Sequence, residues 1–154
     1  MSFGIEEVVQ AIEGLTEAVS LDIPWLNFAP QVKQSDVVST TLGVCQYRRS
    51  GWVIDIQANI TIAGAGTSGQ PIYVQNIPTD LQPIDIIGGG VFPVGRFCAV
   101  DQGTSFYTGF VTWSTSNQFE LRLSGNYALL GQTPAWALAS SDILCLNCRY
   151  KIDF

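Results

Sequence analysis

The amino-acid sequence predicts a mainly β protein that begins with one short α-helix. Three observations support this fold class. Apolar residues near the N-terminus repeat with a heptad period, later segments alternate apolar and polar residues with period two, and glycine- and proline-rich turns separate those segments. No helical segment alternates with the predicted strands, so the β region is predicted to be an antiparallel sandwich or barrel. The 154 residues therefore divide into a helix within residues 1–21 and one β domain over residues 22–154.

The N-terminal helix carries a single apolar stripe, which predicts that the chain assembles as an oligomer. The stripe occupies heptad positions a, d, a, d and a with Ile5, Val8, Ile12, Leu15 and Val19. Ile at the first two a positions favours a trimeric coiled coil over a strict dimer, so these five residues form the predicted three-fold seam. An amphipathic helix that packs on its own domain is the alternative, but no later segment has the pattern of a partner helix.

Alternation is strongest in residues 52–62 and in the C-terminal segment, which predicts two long strands that each bury one face. The apolar face of the first strand consists of Trp52, Ile54, Ile56, Ala58, Ile60 and Ile62. That of the second consists of Leu144, Leu146, Cys148, Tyr150, Ile152 and Phe154. Further strands are predicted near residues 38–48, 71–77, 89–100, 104–113 and 117–124.

Composition restricts the partners that the chain can have. Charged residues make up 13% of the sequence and hydrophobic residues 47%, against about 25% charged residues in average soluble domains, so part of the surface is predicted to lie between subunits. The net charge of −6 argues against nucleic-acid binding, because neutralising phosphates requires clustered cations. No apolar run approaches the roughly 18 residues of a membrane span, and the basic start of a signal peptide is absent, so membrane insertion is not expected.

The sequence contains no histidine, which excludes the usual activation of serine or cysteine nucleophiles and any histidine-ligated catalytic metal. A carboxylate pair for glycoside cleavage is conceivable, but nothing in the sequence brings two carboxylates together. The candidates for such a pair are Asp55, Asp101, Glu120 and Asp142. The chain is therefore predicted not to be an enzyme and to bind no cofactor.

Four cysteines raise the question of a metal site or a disulfide. A zinc site usually needs two close ligand pairs or histidines, and this sequence supplies one C-x-x-C only. Cys145 and Cys148 lie on a predicted strand, where residues three apart point to opposite faces. We therefore expect free thiols and no metal site for Cys45, Cys98, Cys145 and Cys148.

Aromatic residues near predicted turns are the best indication of a binding site. Tyr107, Trp113, Tyr127 and Trp136 could stack on sugar rings, although an aromatic residue in a β domain is often part of the core or of a subunit interface. Polar neighbours could supply hydrogen bonds to the same ligand. These polar candidates are Asp101, Gln102, Asn117 and Asn126.

Several short motifs follow one another in a recognisable order. Trp25-x-x-Phe28-x-Pro30 follows the helix, Tyr47-x-x-x-Gly51-Trp52 opens the long strand, Ile77-Pro78 follows the next strand, and Pro134-x-Trp136 leads to Ser141-Asp142-Ile143. In this order the chain resembles the trimeric jelly-roll head or tip domains of bacteriophage tail and head fibres, which are similar in architecture to the tumour-necrosis-factor and C1q folds. The resemblance covers residues 5–154. This sequence departs from the family pattern by having Ser141 in place of Gly and by a longer loop over residues 125–136.

The resemblance implies a homotrimeric jelly-roll knob on a virion, exposed to the extracellular medium, with other virion proteins at its N-terminal end. It transfers no receptor-binding residue, because fibre tips vary most where they bind. The leading hypothesis is therefore a structural virion protein that attaches to a host-surface carbohydrate. The alternatives are a collar, baseplate or capsid decoration protein without a receptor, and a small glycan depolymerase.

Light scattering of the full chain tests the predicted assembly. We expect a mass of about three times 16.7 kDa, because three helices would bury the heptad stripe together. A chain that lacks residues 1–20 is expected to keep this stoichiometry, since two heptads are too short to hold a trimer alone and the β domain must supply most of the contact. A single-chain mass for the full protein would contradict the predicted oligomer.

Overall fold

The computed structural model describes residues 4–11, 23–83, 92–114 and 117–152. A short helix occupies residues 5–11, and a single 3-10 turn lies at Thr79–Leu81. The strands are β1 (Leu26–Asn27), β2 (Gln31–Gln34), β3 (Asp36–Val38), β4 (Thr40–Ser50), β5 (Val53–Ile62), β6 (Tyr73–Gln75), β7 (Phe92–Asp101), β8 (Ser105–Ser114), β9 (Gln118–Leu123) and β10 (Ile143–Lys151).

The ten strands of the described residues belong to one antiparallel sheet with the order β1-β4-β5-β10-β7-β8-β9-β6-β2-β3. The prediction of a mainly β, antiparallel fold is therefore confirmed. β3 ends the order and β4 stands next to its other end, yet only Ser39 separates these two strands along the chain. The sheet must curl so that its two ends meet. At the junction, the Ser39 carbonyl accepts hydrogen bonds from the backbone N–H groups of Ala63 (2.8 Å) and Gly64 (3.0 Å).

The concave side of the sheet encloses one hydrophobic core. Alternate residues of β5 and β10 point into it, as the period-two pattern predicts. The buried residues of these two strands are Ile54, Ile56, Ala58, Ile60, Ile62, Leu144, Leu146, Cys148 and Tyr150. Ile152, just after β10, is buried as well, whereas Phe154 lies outside the described residues. The placement of Trp52 on the apolar face was wrong, because Trp52 lies in the turn between β4 and β5 and is exposed.

Strands β1, β2 and β3 were not predicted from the sequence. They contain two, four and three residues, which is too short for alternation to be visible. β2 turns directly into β3 at Ser35, whose φ of 67° is uncommon for a residue other than glycine. The pairing of Val32 with Val38 then buries both side chains, so tertiary contacts stabilise what local propensity does not.

The described part of the helix lies exposed to solvent. Its first turn is capped, since the Gly4 N–H donates to the Glu7 carboxylate (3.3 Å), as in a capping box. Ile5 is 84% exposed and Val8 48% exposed, so these two heptad residues do not pack on the sheet of their own chain. The remaining predicted seam residues, Ile12, Leu15 and Val19, lie outside the described residues.

The buried amide of Gln34 ties β2 to two loops. Its Nε2 donates to the carbonyl oxygens of Gln70 (2.9 Å) and Trp136 (2.6 Å), and its Oε1 accepts from the Leu138 N–H (3.0 Å). Gly66 packs against the same amide, and a Cβ at that position would collide with the Gln34 Oε1. One side chain thus satisfies three backbone groups of two loops.

Replacing Gln34 with leucine tests this role. We expect Gln34→Leu to lower the free energy of unfolding by about 3 kcal/mol, because three buried backbone groups lose their partner at about 1–3 kcal/mol each and relaxation recovers part of that cost. Urea unfolding measures the change. Gln31→Leu is the matched control on the exposed side of the same strand, and we expect it to stay within about 0.5 kcal/mol of wild type. Equal unfolding midpoints for the two variants would show that the Gln34 amide is dispensable.

Candidate ligand-binding site

The convex side of the sheet carries a row of side chains that runs across the strands. Neighbours in the row are paired residues of adjacent strands, from β9 through β8, β7, β10 and β5 to β4. At about 4.8 Å per strand the row is about 24 Å long. We call it the cross-strand row, and its members in order are Arg122, Phe110, Arg96, Asn147, Gln57 and Gln46.

The core explains why these six residues face outward. Side chains alternate between the two faces of a strand, so a buried residue places its chain neighbours on the opposite face. Each of the six residues has such a buried chain neighbour. The buried neighbours are Cys45, Ile56, Phe97, Val111, Leu121 and Leu146.

Three shallow depressions follow the cross-strand row and form a continuous groove. Their volumes, from β9 towards β4, are about 420, 410 and 470 Å³. The first two share Pro93 and Phe110, and the last two share Arg96 and Asn147. The middle depression includes Gly95, where a side chain would collide with the backbone of Asn147.

Two aromatic rings form the β9 end of the groove. The rings of Phe110 and Tyr127 are nearly parallel, with centroids 6.0 Å apart and an interplanar angle of 13°. Tyr127 is 62% exposed. Its backbone is held in place, since the Tyr127 carbonyl accepts from Arg122 Nη1 (3.1 Å) and the Asn126 side chain accepts from the Ala128 N–H (3.0 Å). These contacts hold the backbone from which the exposed Tyr127 ring projects.

Two polar residues, Arg122 and Thr112, line the same depression as these rings. Arg122 uses Nη2 to bind the Glu120 carboxylate at 2.8 Å. Its Nε and the Oγ1 of Thr112 are buried and have no hydrogen-bond partner among the described residues. Both residues line the 420 Å³ depression. Both atoms are inaccessible to solvent, and Thr112 as a whole is only 1% exposed, so these atoms form part of the wall of the depression.

The structure does not bring the residues predicted from the sequence as ligand-binding together into one site. Tyr127 and Asn126 belong to the aromatic end of the groove, with Tyr127 contributing its ring and Asn126 stabilising the turn. Asp101 and Gln102 lie at the turn between β7 and β8. There the Gln102 N–H donates to the buried carboxylate of Asp142 (3.0 Å).

The remaining predicted residues pack against other parts of the chain. Tyr107 is half-buried and its ring packs against Trp136, with centroids 5.1 Å apart. Trp113 is buried and packs edge-on against Phe119 at 5.5 Å, so a surface ligand would not reach its ring. Asn117 donates from its side chain to the Ile77 carbonyl at 2.6 Å.

Sequence reasoning missed Phe110, Arg96, Arg122 and Asn147. These residues are far apart in the chain, and only the strand register brings them into one row. Their outward-facing positions on predicted strands were the only signal in the sequence that could have identified them, and many residues outside the groove have such positions too.

Several carboxylates that were considered for catalysis are engaged elsewhere. Asp55 pairs with Arg48 (3.1 Å) and Arg149 (3.7 Å), and Glu120 pairs with Arg122. Asp142 accepts from the backbone N–H groups of Gln102 and Ala139. Within the described residues, no cluster of three or more histidine, cysteine or acidic side chains is placed to hold a metal ion.

The four cysteines are free thiols. Cys148 is buried while Cys145 is half-buried and faces the groove, so the prediction that these two residues point to opposite faces is confirmed. Cys145 lies directly opposite Cys98 on β7, and its thiol donates a long hydrogen bond to Asn59 Oδ1 at 3.9 Å. Burial, reinforced by the neighbouring Cys98, raises the pKa of the Cys145 thiol to about 11.

Comparison of the chain with protein-family models, with curated proteins and with solved structures gave no match. The function is therefore argued from the chain's own residues. Among the described residues there is no helix with the length and apolar character needed to cross a membrane.

Alkylation with iodoacetamide tests how the groove exposes its thiols. We expect native protein to react at Cys98 and Cys145, which line the 470 Å³ depression, and to protect the buried Cys45 and Cys148 until it is unfolded. Because the thiolate is the nucleophile and the pKa of Cys145 is about 11, labelling of Cys145 should accelerate about tenfold per pH unit between about pH 8 and 10. Mass spectrometry with Cys145→Ser as control assigns the labels. Earlier labelling of Cys148 would contradict the described burial.

Proposed function

We propose that this chain is a non-enzymatic binding protein that attaches to host-surface carbohydrate through the aromatic end of the groove. The observation that carries the proposal is the exposed Tyr127 ring, stacked on Phe110, in a depression that Arg122 also lines. Sugars present apolar ring faces that stack on aromatic side chains and hydroxyl groups that need fixed hydrogen-bond partners. The rings of Tyr127 and Phe110 meet the first requirement, and exposed polar side chains of the adjoining depression, Arg96 and Asn147, can meet the second.

We further propose that the chain is a homotrimeric virion fibre protein with a jelly-roll knob of the tumour-necrosis-factor and C1q type. The antiparallel curled sheet is compatible with that architecture, and the order of motifs along the sequence resembles the fibre family. Exposure of Ile5 and Val8 supports a coiled-coil stalk, because apolar heptad residues that their own domain leaves uncovered can be buried between helices. Three linked sites would increase the avidity for a repetitive cell surface.

The engaged carboxylates favour binding over hydrolysis. A glycosidase needs two carboxyl groups that flank the scissile bond. On the convex face, Glu120 and Asp55 are each paired with arginine. A collar, baseplate or decoration role without a receptor remains the alternative function. Failure of the isolated wild-type protein to adsorb to bacterial cells would favour this alternative.

Glycan binding by the full chain tests this proposal. On immobilised bacterial cell-surface polysaccharides, we expect Tyr127→Ala to weaken binding roughly tenfold, because removing an aromatic anchor typically costs at least about 1 kcal/mol. Phe106→Ala is the matched control, since Phe106 is an outward-facing aromatic residue of the same sheet, on β8, and is 64% exposed. We expect this control to bind like wild type.

Two results would contradict the proposal. Equal binding by Tyr127→Ala and wild type would show that the carbohydrate does not bind at the aromatic end of the groove. Failure of the wild-type protein to bind any polysaccharide, together with failure to adsorb to bacterial cells, would favour the purely structural alternative.

A further inference from the structure

We infer that the ligand is an anionic carbohydrate chain that lies along the groove, an inference that rests on the proposed carbohydrate binding. The chain has a net charge of −6 and only seven lysines and arginines. Five of these seven cations project from the convex face of the six strands that carry the cross-strand row. They are Arg48, Arg96, Arg122, Arg149 and Lys151.

Few acids share this face with the five cations. Among the described residues of these six strands, the acidic side chains on the same face are Asp55 and Glu120. The face therefore has an excess of three positive charges in a protein that is acidic overall. Such a separation concentrates positive potential over the groove and attracts anions to it.

The unneutralised charge lies at the middle of the groove. Glu120 neutralises Arg122 at 2.8 Å, and Asp55 is nearest to Arg48 at 3.1 Å. Arg149 makes only the longer 3.7 Å contact with Asp55 and is largely exposed. Arg96 is exposed, and no described carboxylate lies within ion-pair distance of it. Arg96 and Arg149 both line the 410 Å³ depression, so this depression is the most electropositive part of the groove.

The order of side chains along the row then specifies the ligand. A sugar ring at the Tyr127 end would place its next substituents over Arg96, which is paired with Phe110 in the register. A guanidinium group binds a carboxylate through two parallel hydrogen bonds, so an acidic substituent fits this position.

The far half of the groove has a different character. Asn147, Gln57 and Gln46 continue the row with uncharged amides, which can donate to and accept from hydroxyl groups. A ligand with acidic groups at intervals and hydroxyl groups between them matches this order. A nucleic acid matches less well, because it has a phosphate at every step and several bases to stack, whereas the row contains one aromatic residue.

Removing the two central charges tests the inference. The probes are the immobilised bacterial polysaccharides used above, divided into neutral ones and ones bearing uronate, sialate or phosphate, together with carboxyl-reduced forms of the retained acidic ones. We expect wild-type protein to retain acidic polysaccharides and to lose the uronate- and sialate-bearing ones on carboxyl reduction. Arg96→Gln should weaken this binding about tenfold, and the double variant Arg96→Gln with Arg149→Gln should weaken it further. In both variants the affinity should fall less steeply with increasing salt concentration than in wild type. Arg96→Lys should keep the salt dependence.

Lys33→Gln controls for loss of overall charge, because Lys33 lies on β2, four strands from β7 in the sheet order. We expect it to bind like wild type. Retention of neutral polysaccharides only, or unchanged binding by the Arg96 and Arg149 variants, would overturn the anionic ligand and leave carbohydrate binding intact. No retention of any polysaccharide by wild-type protein would overturn both. Unchanged urea midpoints for the arginine variants exclude unfolding as the cause.

Discussion

The insertion of β10 between β5 and β7 is the constraint on which the rest of the structure depends. Nine residues of β10 pair with β5 and six pair with β7. Without this strand, no hydrogen-bonded ladder would join the β1-β4-β5 part of the sheet to the β7-β8-β9-β6-β2-β3 part. The same strand buries alternate residues in the core and presents Asn147 and Arg149 to the groove. Packing and ligand chemistry therefore depend on one register, and a slip by one residue would exchange the two faces.

Buried polar groups hold the places where the sheet curls back on itself. The Gln34 amide binds three loop backbone groups, and the Asp142 carboxylate accepts two backbone N–H groups immediately before β10 begins. Each group has hydrogen-bond partners, and these bonds compensate the desolvation cost of burying it. The unpaired atoms of Thr112 and Arg122 differ from these, because they lie under a surface depression. Trp136 Nε1 is also buried without a partner among the described residues, and Trp136 does not line that depression.

The charge distribution adds a second distinction. An acidic protein has most of its few cations on one sheet face, and the central cations of that face are the least neutralised. Exposed charges of this kind act over about 10 Å at moderate ionic strength, so they guide and orient an anionic ligand more than they stabilise the fold. The aromatic pair at one end supplies contact area that does not depend on salt.

The sequence by itself determined the mainly β class, the two long alternating strands, the opposite directions of Cys145 and Cys148, and the absence of histidine chemistry, since each follows from local periodicity or composition. The tertiary structure decided the register that aligns Arg122, Phe110, Arg96 and Asn147, because period two specifies the face of a residue but not its partner on the next strand. It also decided that Tyr127 is exposed while Trp113 is buried, although both are aromatic residues near turns. The short strands β2 and β3 could not be predicted from the sequence either, because long-range contacts stabilise them more than the propensity of their own residues does.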